Sequence, residues 1–370
     1  MVKLYKISVK QEDLRLQNVL QAGQAFRWIW DDKNHWYMTS MIIVGYETYG
    51  IIIVKQEEGC DYIEFGFQHP KWELQKVEEH LKQYFRLEVD LNTHQDLWKS
   101  TDPNLKNISP QGIRILFQEP WETLISFICS SNNNINRITK MCHNLTSHFG
   151  DKIGTFEDTT FYSFPTSEQI VERATEEELR EFGFGYRAKY IIETAKLMTK
   201  DKKTYGCTTD QEVLLHFAAS NYEETREKLM RYTGVGPKVA DCVCLMGLHL
   251  DDVVPVDVHV ARFAKRDYHI AASKTEIAEI RATYTKLDLP ITKKKINPEL
   301  DFIRTELTKK WGPFAGWAQG ILFSKEVGSV IGATTSGDIK TKKRAFKIEE
   351  DVDESDFLSK KTLTSTKVEA

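Results

Sequence analysis

The segment GVGPKVADC, which begins at Gly234, restricts the fold more than any other part of the chain. It follows one helical pattern and opens a second, apolar one, and its Pro237 suits the first turn of a helix. We expect Gly234 and Gly236 to adopt positive φ angles that turn backbone N–H groups toward an anion, although a plain turn between helices needs the same glycines. The pattern predicts two helices joined by a hairpin over about residues 221–248.

Lys238 lies in the first turn of the second helix, where the helix dipole disfavours a positive charge. An unperturbed lysine is almost entirely protonated at pH 7, so an amine that has to react there needs surroundings that favour its neutral form. The helix N-terminus and partial burial both act in that direction. We therefore interpret Lys238 as a candidate nucleophile.

A second unusual segment, VVPVDVHV, places Asp257 19 residues after Lys238. Pro255 favours an extended approach, and Asp257 suits the N-cap of the helix that follows. An N-cap aspartate alone is ordinary, but a hairpin, a lysine at a helix start and this aspartate rarely occur together by chance. Lys238 and Asp257 are therefore the candidate catalytic residues.

The rest of the chain divides into regions of different periodicity. Between about residues 5 and 68, segments such as HWYMTSMIIVGY and YGIIIVKQ alternate with turn sequences, which predicts an antiparallel sheet. After Pro110 apolar residues recur at helical spacing, and this periodicity is lost near the C-terminus. We predict an α+β chain with a β-rich N-terminal domain, a mostly α-helical core and a disordered tail, over residues 1–107, 108–325 and 326–370.

Composition excludes several classes of protein. With 41% apolar residues, a chain of 370 residues is too apolar for disorder and too long for one ordinary core. It contains no apolar run long enough to span a membrane and no N-terminal segment of the signal-peptide type, which favours an intracellular protein. The six cysteines lack the spacing of metal or iron–sulfur ligands, so we predict reduced thiols and no metal site.

Several long strings of residues resemble the 8-oxoguanine DNA glycosylases, a branch of the helix-hairpin-helix/Gly-Pro-Asp superfamily of base-excision DNA glycosylases and AP lyases. The resemblance covers about residues 15–325 and includes QAGQAFRW, EPWETLISFICSSNNN, GFGYRAKYI, GVGPKVADCVCLMGL, VPVDVHV and KWGPFAGWAQGILF. It implies a twisted antiparallel sheet followed by a two-lobed helical core. It also implies a bifunctional enzyme that excises 8-oxoguanine opposite cytosine, with Lys238 forming a Schiff base and Asp257 stabilising the charge on the sugar.

The same resemblance assigns residues to a flipped base. Cys242 and Phe323 would lie on its two faces, Gln319 would read its pairing edge, and the backbone carbonyl of Gly23 would accept a hydrogen bond from N7–H, which guanine lacks. Core packing is the alternative for Cys242 and Phe323. A single unsatisfied acceptor changes a free energy by about 1–3 kcal/mol, so the Gly23 contact cannot supply all of the selectivity.

Further residues would contact the DNA. By resemblance the residues that fill the vacated space and hold the opposite cytosine are Asn132, Arg137, Tyr186 and Arg187, and His259 would contact a phosphate, as would the hairpin around Gly234 and Gly236. Without the resemblance, SSNNN is equally consistent with a capping turn and YRAKY with a charged helix start. A lone histidine such as His259 is more often a surface or packing residue.

The expected partner is damaged double-stranded DNA, and one duplex with one flipped base favours a monomer. The Schiff base needs no cofactor, but the sequence leaves open whether the hairpin carbonyls hold a cation. The basic run KTKKR near residue 340 favours the nucleus, with the mitochondrion as the alternative. Two other functions remain open at this point: a DNA-binding module without catalytic activity, and a glycosylase for another lesion.

Overall fold

The computed structural model describes residues 2–106, 111–290 and 296–332, with side chains described as far as residue 326. In this part a β-rich region precedes a mostly helical one, so the predicted α+β class is confirmed. The chain divides into two units after Ser324. No helix in the described part of the chain is long and apolar enough to cross a membrane.

The elements are numbered in chain order. The strands are β1 Tyr5–Ser8, β2 Ile29–Asp31, β3 Trp36–Met41, β4 Gly50–Lys55, β5 Tyr62–Gln68, β6 Lys152–Phe156 and β7 Thr159–Tyr162. The helices of the first half are α1 Leu16–Leu20, α2 Leu74–Tyr84, α3 Leu91–Thr101, α4 Pro120–Ile128, α5 Ile135–Phe149, α6 Ser167–Arg173 and α7 Glu176–Glu181. Those of the second half are α8 Arg187–Tyr205, α9 Asp210–Ala218, α10 Tyr222–Met230, α11 Pro237–Met246, α12 Val258–Tyr268, α13 Lys274–Thr285, α14 Pro298–Trp311 and α15 Ala315–Gly332, with a 3-10 turn at Gly312–Phe314 before α15.

The N-terminal sheet is antiparallel throughout, in the order β1-β5-β4-β3-β2. Its central strand β4 reads GIIIVK because both of its faces are covered. Alternate side chains point to opposite faces, so Ile52 and Val54 pack with α1 and α2, whereas Ile51 and Ile53 pack with Phe161 of β7. The sheet predicted between residues 5 and 68 is confirmed.

The hairpin of β6 and β7 was not predicted, because the sequence analysis assigned only helices after Pro110. Its apolar residues Ile153, Phe156 and Phe161 complete the core on the second face of the sheet. The alternation in KIGTFEDTTFY is the signal that could have identified it.

The helices begin and end where local sequence rules place them. Asn134 caps α5 by accepting a hydrogen bond from the backbone N–H of Arg137, and the helix ends before Gly150. Thr175 and Glu178 form a capping box at the start of α7. In the middle of the helical region α4 packs against α11, and the side chains of both are almost entirely buried. This contact places the second helix of the predicted hairpin in the main core.

The two predicted domain boundaries lie in or close to segments that the structure does not describe. The boundary at 107/108 falls in the undescribed segment 107–110, so it stays a prediction. The predicted tail from residue 326 begins one residue after the division between the two compact units. However, α15 continues to Gly332, so residues 326–332 are helical rather than part of a disordered tail. Residues 333–370, including KTKKR, lie outside the described part.

Candidate active site

Helices α10 and α11 are joined by a hairpin at residues 231–236, as the sequence predicts. Gly234 has φ +84°, and a Cβ there would lie 2.5 Å from Cδ2 of Tyr190, so both its conformation and its position require glycine. The expectation for Gly236 is wrong: it has φ −95° and ψ −179°, because it serves as the extended N-cap of α11. Only one of the two glycines therefore supplies the left-handed conformation of the turn.

Lys238 is the second residue of α11, after Pro237, and its side chain is half-buried. Its Nζ lies over the ring of Phe127 in α4, 5.7 Å from the ring centroid. The ammonium group makes no ion pair or hydrogen bond with any residue that the structure describes. The contact partner of this ammonium group is therefore an aromatic face and not a carboxylate.

Asp257 is the N-cap of α12, as predicted, and it follows the buried extended segment Val253–Val256. Its Oδ1 accepts hydrogen bonds from the backbone N–H groups of His259, at 2.9 Å, and Val260, at 3.0 Å. These bonds stabilise the carboxylate and fix its direction. A negative charge is thus held in place without an ion pair to Lys238.

Cys242 lies one helical turn after Lys238 on α11 and is 2% exposed. Burial raises the pKa of its thiol to about 12, the positive charge of Lys238 opposes this increase, and the negative charges of Asp241 and Asp257 add to it. The thiol therefore lies within electrostatic reach of both candidate catalytic residues. The structure thus brings Lys238, Asp257 and Cys242 into one neighbourhood.

Gln319 and Phe323 lie one turn apart on α15, so their side chains leave the helix on the same face. Gln319 is only 7% exposed, and its amide makes no hydrogen bond with any described residue. The ring of Phe323 meets the ring of His259 edge to face, with centroids 6.0 Å apart. This contact places α15 beside the start of α12 and Asp257. An amide that makes no hydrogen bond within the described part of the chain is available to read a ligand.

Helix α15 packs closely against α11 at Gly316. A Cβ on Gly316 would lie 2.5 Å from Cδ1 of Leu245, and the Gly316 N–H donates to the carbonyl of Asp251 at 2.9 Å. The first turn of α15 is therefore in close contact with the C-terminal half of α11, the helix that carries Cys242.

Gly23 has φ +78°, and a Cβ there would lie 3.1 Å from Cδ1 of Ile135 at the start of α5. The next residue anchors the loop: the Gln24 amide donates to the carbonyl of Arg114 and accepts from the N–H of Leu116. Phe26 then meets Phe127 edge to face, with centroids 5.7 Å apart. Through these two rings the Gly23 loop reaches the neighbourhood of Lys238.

The four residues predicted to hold the opposite base form one cluster. The Tyr186 hydroxyl donates to the carbonyl of Ser131 at 3.2 Å, Arg137 donates to the carbonyl of Gly183 at 3.0 Å, and Arg187 donates to the carbonyls of Ser131 and Asn132. Tyr186 is 42% exposed, which suits a side chain that inserts into DNA. The SSNNN turn and the start of α8 are thus linked by direct hydrogen bonds.

Two members of this cluster have unusual surroundings. Asn132 is exposed and has φ +45°, a conformation that is uncommon outside glycine and typical of functional turns. The Arg187 guanidinium is only 2% exposed and donates to three backbone carbonyls. In this structure Arg187 orders the turn from within, so contact with a cytosine stays a prediction for this residue.

A buried ionic network behind α11 was not predicted from the sequence. Arg226 of α10 donates to Asp241 of α11 at 2.7 Å, to Asp301 of α14 at 2.5 Å and to the hydroxyl of Tyr284 at 2.7 Å. Tyr222 also donates to Asp241, at 2.7 Å. The network joins α11 to three other helices. An aspartate inside the apolar run VADCVCLM is the signal that could have indicated it.

Sequence profiles of two families match adjoining parts of the chain. The profile of the 8-oxoguanine DNA glycosylase N-terminal domain matches residues 6–124, and that of the HhH-GPD superfamily base excision DNA repair proteins matches residues 125–286. The hairpin, Lys238 and Asp257 all lie in the second match. Fold and site together define a base-excision DNA repair protein of the helix-hairpin-helix class.

Comparison with individual proteins shows which members of this class the chain is similar to. The N-glycosylase/DNA lyase of Saccharomyces cerevisiae is 54% identical over 92% of this chain and 91% of its own length. The N-glycosylase/DNA lyase of Arabidopsis thaliana is 31% identical over 88% of this chain and 80% of its own. A structure of the Clostridium acetobutylicum 8-oxoguanine glycosylase/lyase, in complex with DNA containing cytosine opposite 8-oxoG, is 26% identical over 89% of this chain and 98% of its own, with a TM-score of 0.66.

The chain belongs to the 8-oxoguanine DNA glycosylase family, whose members are N-glycosylases and DNA lyases. It is a DNA N-glycosylase with AP lyase activity that acts in base-excision repair.

Proposed function

We propose that this enzyme excises 8-oxoguanine from opposite cytosine and then cleaves the strand through a Schiff base on Lys238. The observation that carries the proposal is the arrangement around Cys242. Lys238 is half-buried and makes no ion pair with any described residue, Asp257 is fixed by backbone N–H groups, and the charges of both influence the pKa of this thiol. A nucleophilic amine and a stationary negative charge are what this reaction requires.

Lys238 and Asp257 have separate roles in the reaction. The lone pair of the Lys238 nitrogen forms a bond to C1′ of the deoxyribose while the C1′–N9 bond breaks, and that electron pair leaves with the base, which takes up a proton. Asp257 stabilises the positive charge that develops on the sugar during this exchange. The nitrogen then gives up a proton, the sugar ring opens, and the resulting iminium permits β-elimination of the 3′ phosphate.

The flipped base would occupy the space between α11 and α15. The unpartnered amide of Gln319 supports a role in reading the pairing edge, and Cys242 and Phe323 would contact the two faces of the base. The carbonyl of Gly23 would accept the hydrogen bond from N7–H of 8-oxoguanine. That single contact distinguishes the lesion from guanine by about 1–3 kcal/mol, so other steps contribute to selectivity.

The opposite cytosine would meet the cluster of Asn132, Arg137 and Tyr186, with Arg187 supporting the turn from below. The hairpin N–H groups near Gly234 and Gly236, together with His259, would hold phosphates.

The lysine chemistry needs no cofactor, and a cation on the hairpin carbonyls would act on DNA binding alone. One flipped base for each protein favours a monomer. The nucleus is the proposed location because its DNA is the substrate, with the mitochondrion as the alternative.

A panel of duplexes tests the proposal. Each duplex carries one lesion, 8-oxoguanine, an alkylated purine or an oxidised pyrimidine, opposite each of the four bases, and base release is measured in single turnover. We expect the highest rate for 8-oxoguanine opposite cytosine. Fastest release of another lesion would replace the proposed substrate, and binding without release from any duplex would indicate a DNA-binding module without catalytic activity.

We expect Asp257→Asn to slow base release by about 10²–10³-fold, the range for loss of one fixed charge-stabilising group. Asparagine is as good an N-cap as aspartate, so folding and DNA affinity should be retained. The measurement is the single-turnover rate alongside thermal unfolding. Asp90→Asn is the matched control, because Asp90 caps α3 by accepting from the N–H of Thr93. Equal rates for the two variants would remove Asp257 from the mechanism.

A further inference from the structure

Phe127 is 3% exposed and lies in α4, where its spacing indicates an ordinary core residue. One face of its ring, however, carries the Lys238 nitrogen, 5.7 Å from the ring centroid. Among the described residues no carboxylate pairs with this nitrogen and no acceptor hydrogen-bonds to it. Within the described part of the chain the ring is therefore the contact partner of the Lys238 ammonium group.

The orientation of the Phe127 ring is itself constrained. Phe26, which is 4% exposed, presents its ring edge to Phe127 at an interplanar angle of 78°. Such edge-to-face pairs are a preferred geometry for aromatic rings. Phe26 follows Gly23 by three residues, so the loop that would read the lesion also supports the ring beneath the nucleophile.

We propose that Phe127 is a positioning residue that also stabilises positive charge on the Lys238 nitrogen during attack on C1′. This inference rests on the proposed function. As the lone pair of nitrogen forms the new bond and the C1′–N9 electrons leave with the base, the nitrogen becomes positive until it releases a proton. The negative face of an aromatic ring attracts such a charge. An ion pair would do the same but would hold the starting ammonium more firmly.

The ring has a pH-dependent effect that core packing does not have. At alkaline pH the amine starts neutral, so the ring stabilises the transition state and not the starting state, and it accelerates attack. At acidic pH the starting ammonium and the transition state both carry charge on nitrogen, so the two contributions cancel. Weakening the ring's negative face should therefore lower the rate at alkaline pH and leave it unchanged at acidic pH.

Fluorinated phenylalanines provide the test, since successive fluorine atoms weaken the negative face of the ring with little change in its size. We would replace Phe127 site-specifically with phenylalanine carrying one, two or three fluorines and measure single-turnover base release from DNA with 8-oxoguanine opposite cytosine. On the alkaline plateau we expect the rate to fall with each added fluorine, by about 2- to 30-fold in total, which is the range that cation–π energies allow. On the acidic limb the rates of all these variants should coincide.

Phe149 of α5, also 3% exposed, is the matched control, and the same fluorine series there should leave the profile unchanged. Phe127→Leu, which removes the aromatic ring, should likewise lower the rate of base release at alkaline pH. A fluorine series at Phe127 that is flat, or that lowers the rate equally at every pH, would overturn the inference. If the unsubstituted enzyme releases no 8-oxoguanine, the proposed function fails first, so the two failures are distinguishable.

Discussion

Lys238→Gln is expected to abolish borohydride trapping of the enzyme on a duplex that contains 8-oxoguanine opposite cytosine. Glutamine has a similar length but no basic amine, so neither the attack on C1′ nor the Schiff base can form. We expect the rate of base release to fall by at least about 10³-fold, as in other enzymes that lose their nucleophile. The affinity for the duplex should change by less than about tenfold, since at most one positive charge near phosphate is lost.

The control for Lys238→Gln is the same substitution at a lysine outside the site. Lys76→Gln serves, because Lys76 lies on α2 in the N-terminal region and forms an exposed pair with Glu79. It should be trapped and should release base as the unsubstituted enzyme does. Trapping of Lys238→Gln at the normal rate would show that another amine is the nucleophile. Loss of DNA binding by Lys238→Gln would mean that the lysine acts on affinity and not on chemistry.

The parts of the site that the sequence predicts are those governed by local rules. The hairpin, the position of Lys238 at the start of α11 and the N-cap role of Asp257 depend on residues within a few positions of each other. The alternating and helical periods likewise predict the sheet and the long helices. Gly236 is the local exception: a glycine has two conformations available, and the choice depends on which residue becomes the N-cap.

The parts that could not be predicted depend on contacts between distant segments. Phe127 and Lys238 are more than one hundred residues apart, and nothing in LISFICSSNNN distinguishes a ring beneath a nucleophile from an ordinary core ring. Arg187 has the composition of a DNA-contacting residue, but its burial under the SSNNN turn is a property of the folded chain. The network around Arg226 likewise assembles side chains from four helices.

We expect Arg226→Met to destabilise the enzyme by about 3–5 kcal/mol, which is typical for removal of one partner from a buried ion pair. The methionine fills much of the volume but leaves Asp241 and Asp301 as buried carboxylates without their counter-ion. The melting temperature should fall by roughly 4–8 °C. Arg180→Met is the control, because its pair with Glu176 lies at the surface and such pairs contribute at most about 1 kcal/mol.

The pH dependence of this loss separates charge from packing. Burial raises the pKa of Asp241, and the positive charge of Arg226 opposes that rise. Without Arg226 the pKa of Asp241 should rise further, so the carboxyl becomes neutral at a higher pH and its burial penalty then disappears. The destabilisation by Arg226→Met should accordingly be small in acid, grow as the pH rises from the unfolded-state pKa of Asp241 to its folded-state pKa, and stay constant above that.

A second substitution distinguishes uncompensated charge from a cavity as the cause of the destabilisation. If uncompensated charge causes the loss, adding Asp241→Asn to Arg226→Met should restore part of the stability, although Asp241→Asn alone is destabilising in the presence of Arg226. A loss that is equal at every pH and is not recovered in the double variant would instead assign the effect to a cavity. Because Asp241 lies on α11 between Lys238 and the end of the helix, we expect Arg226→Met to slow base release as well, and the double variant to restore part of that rate.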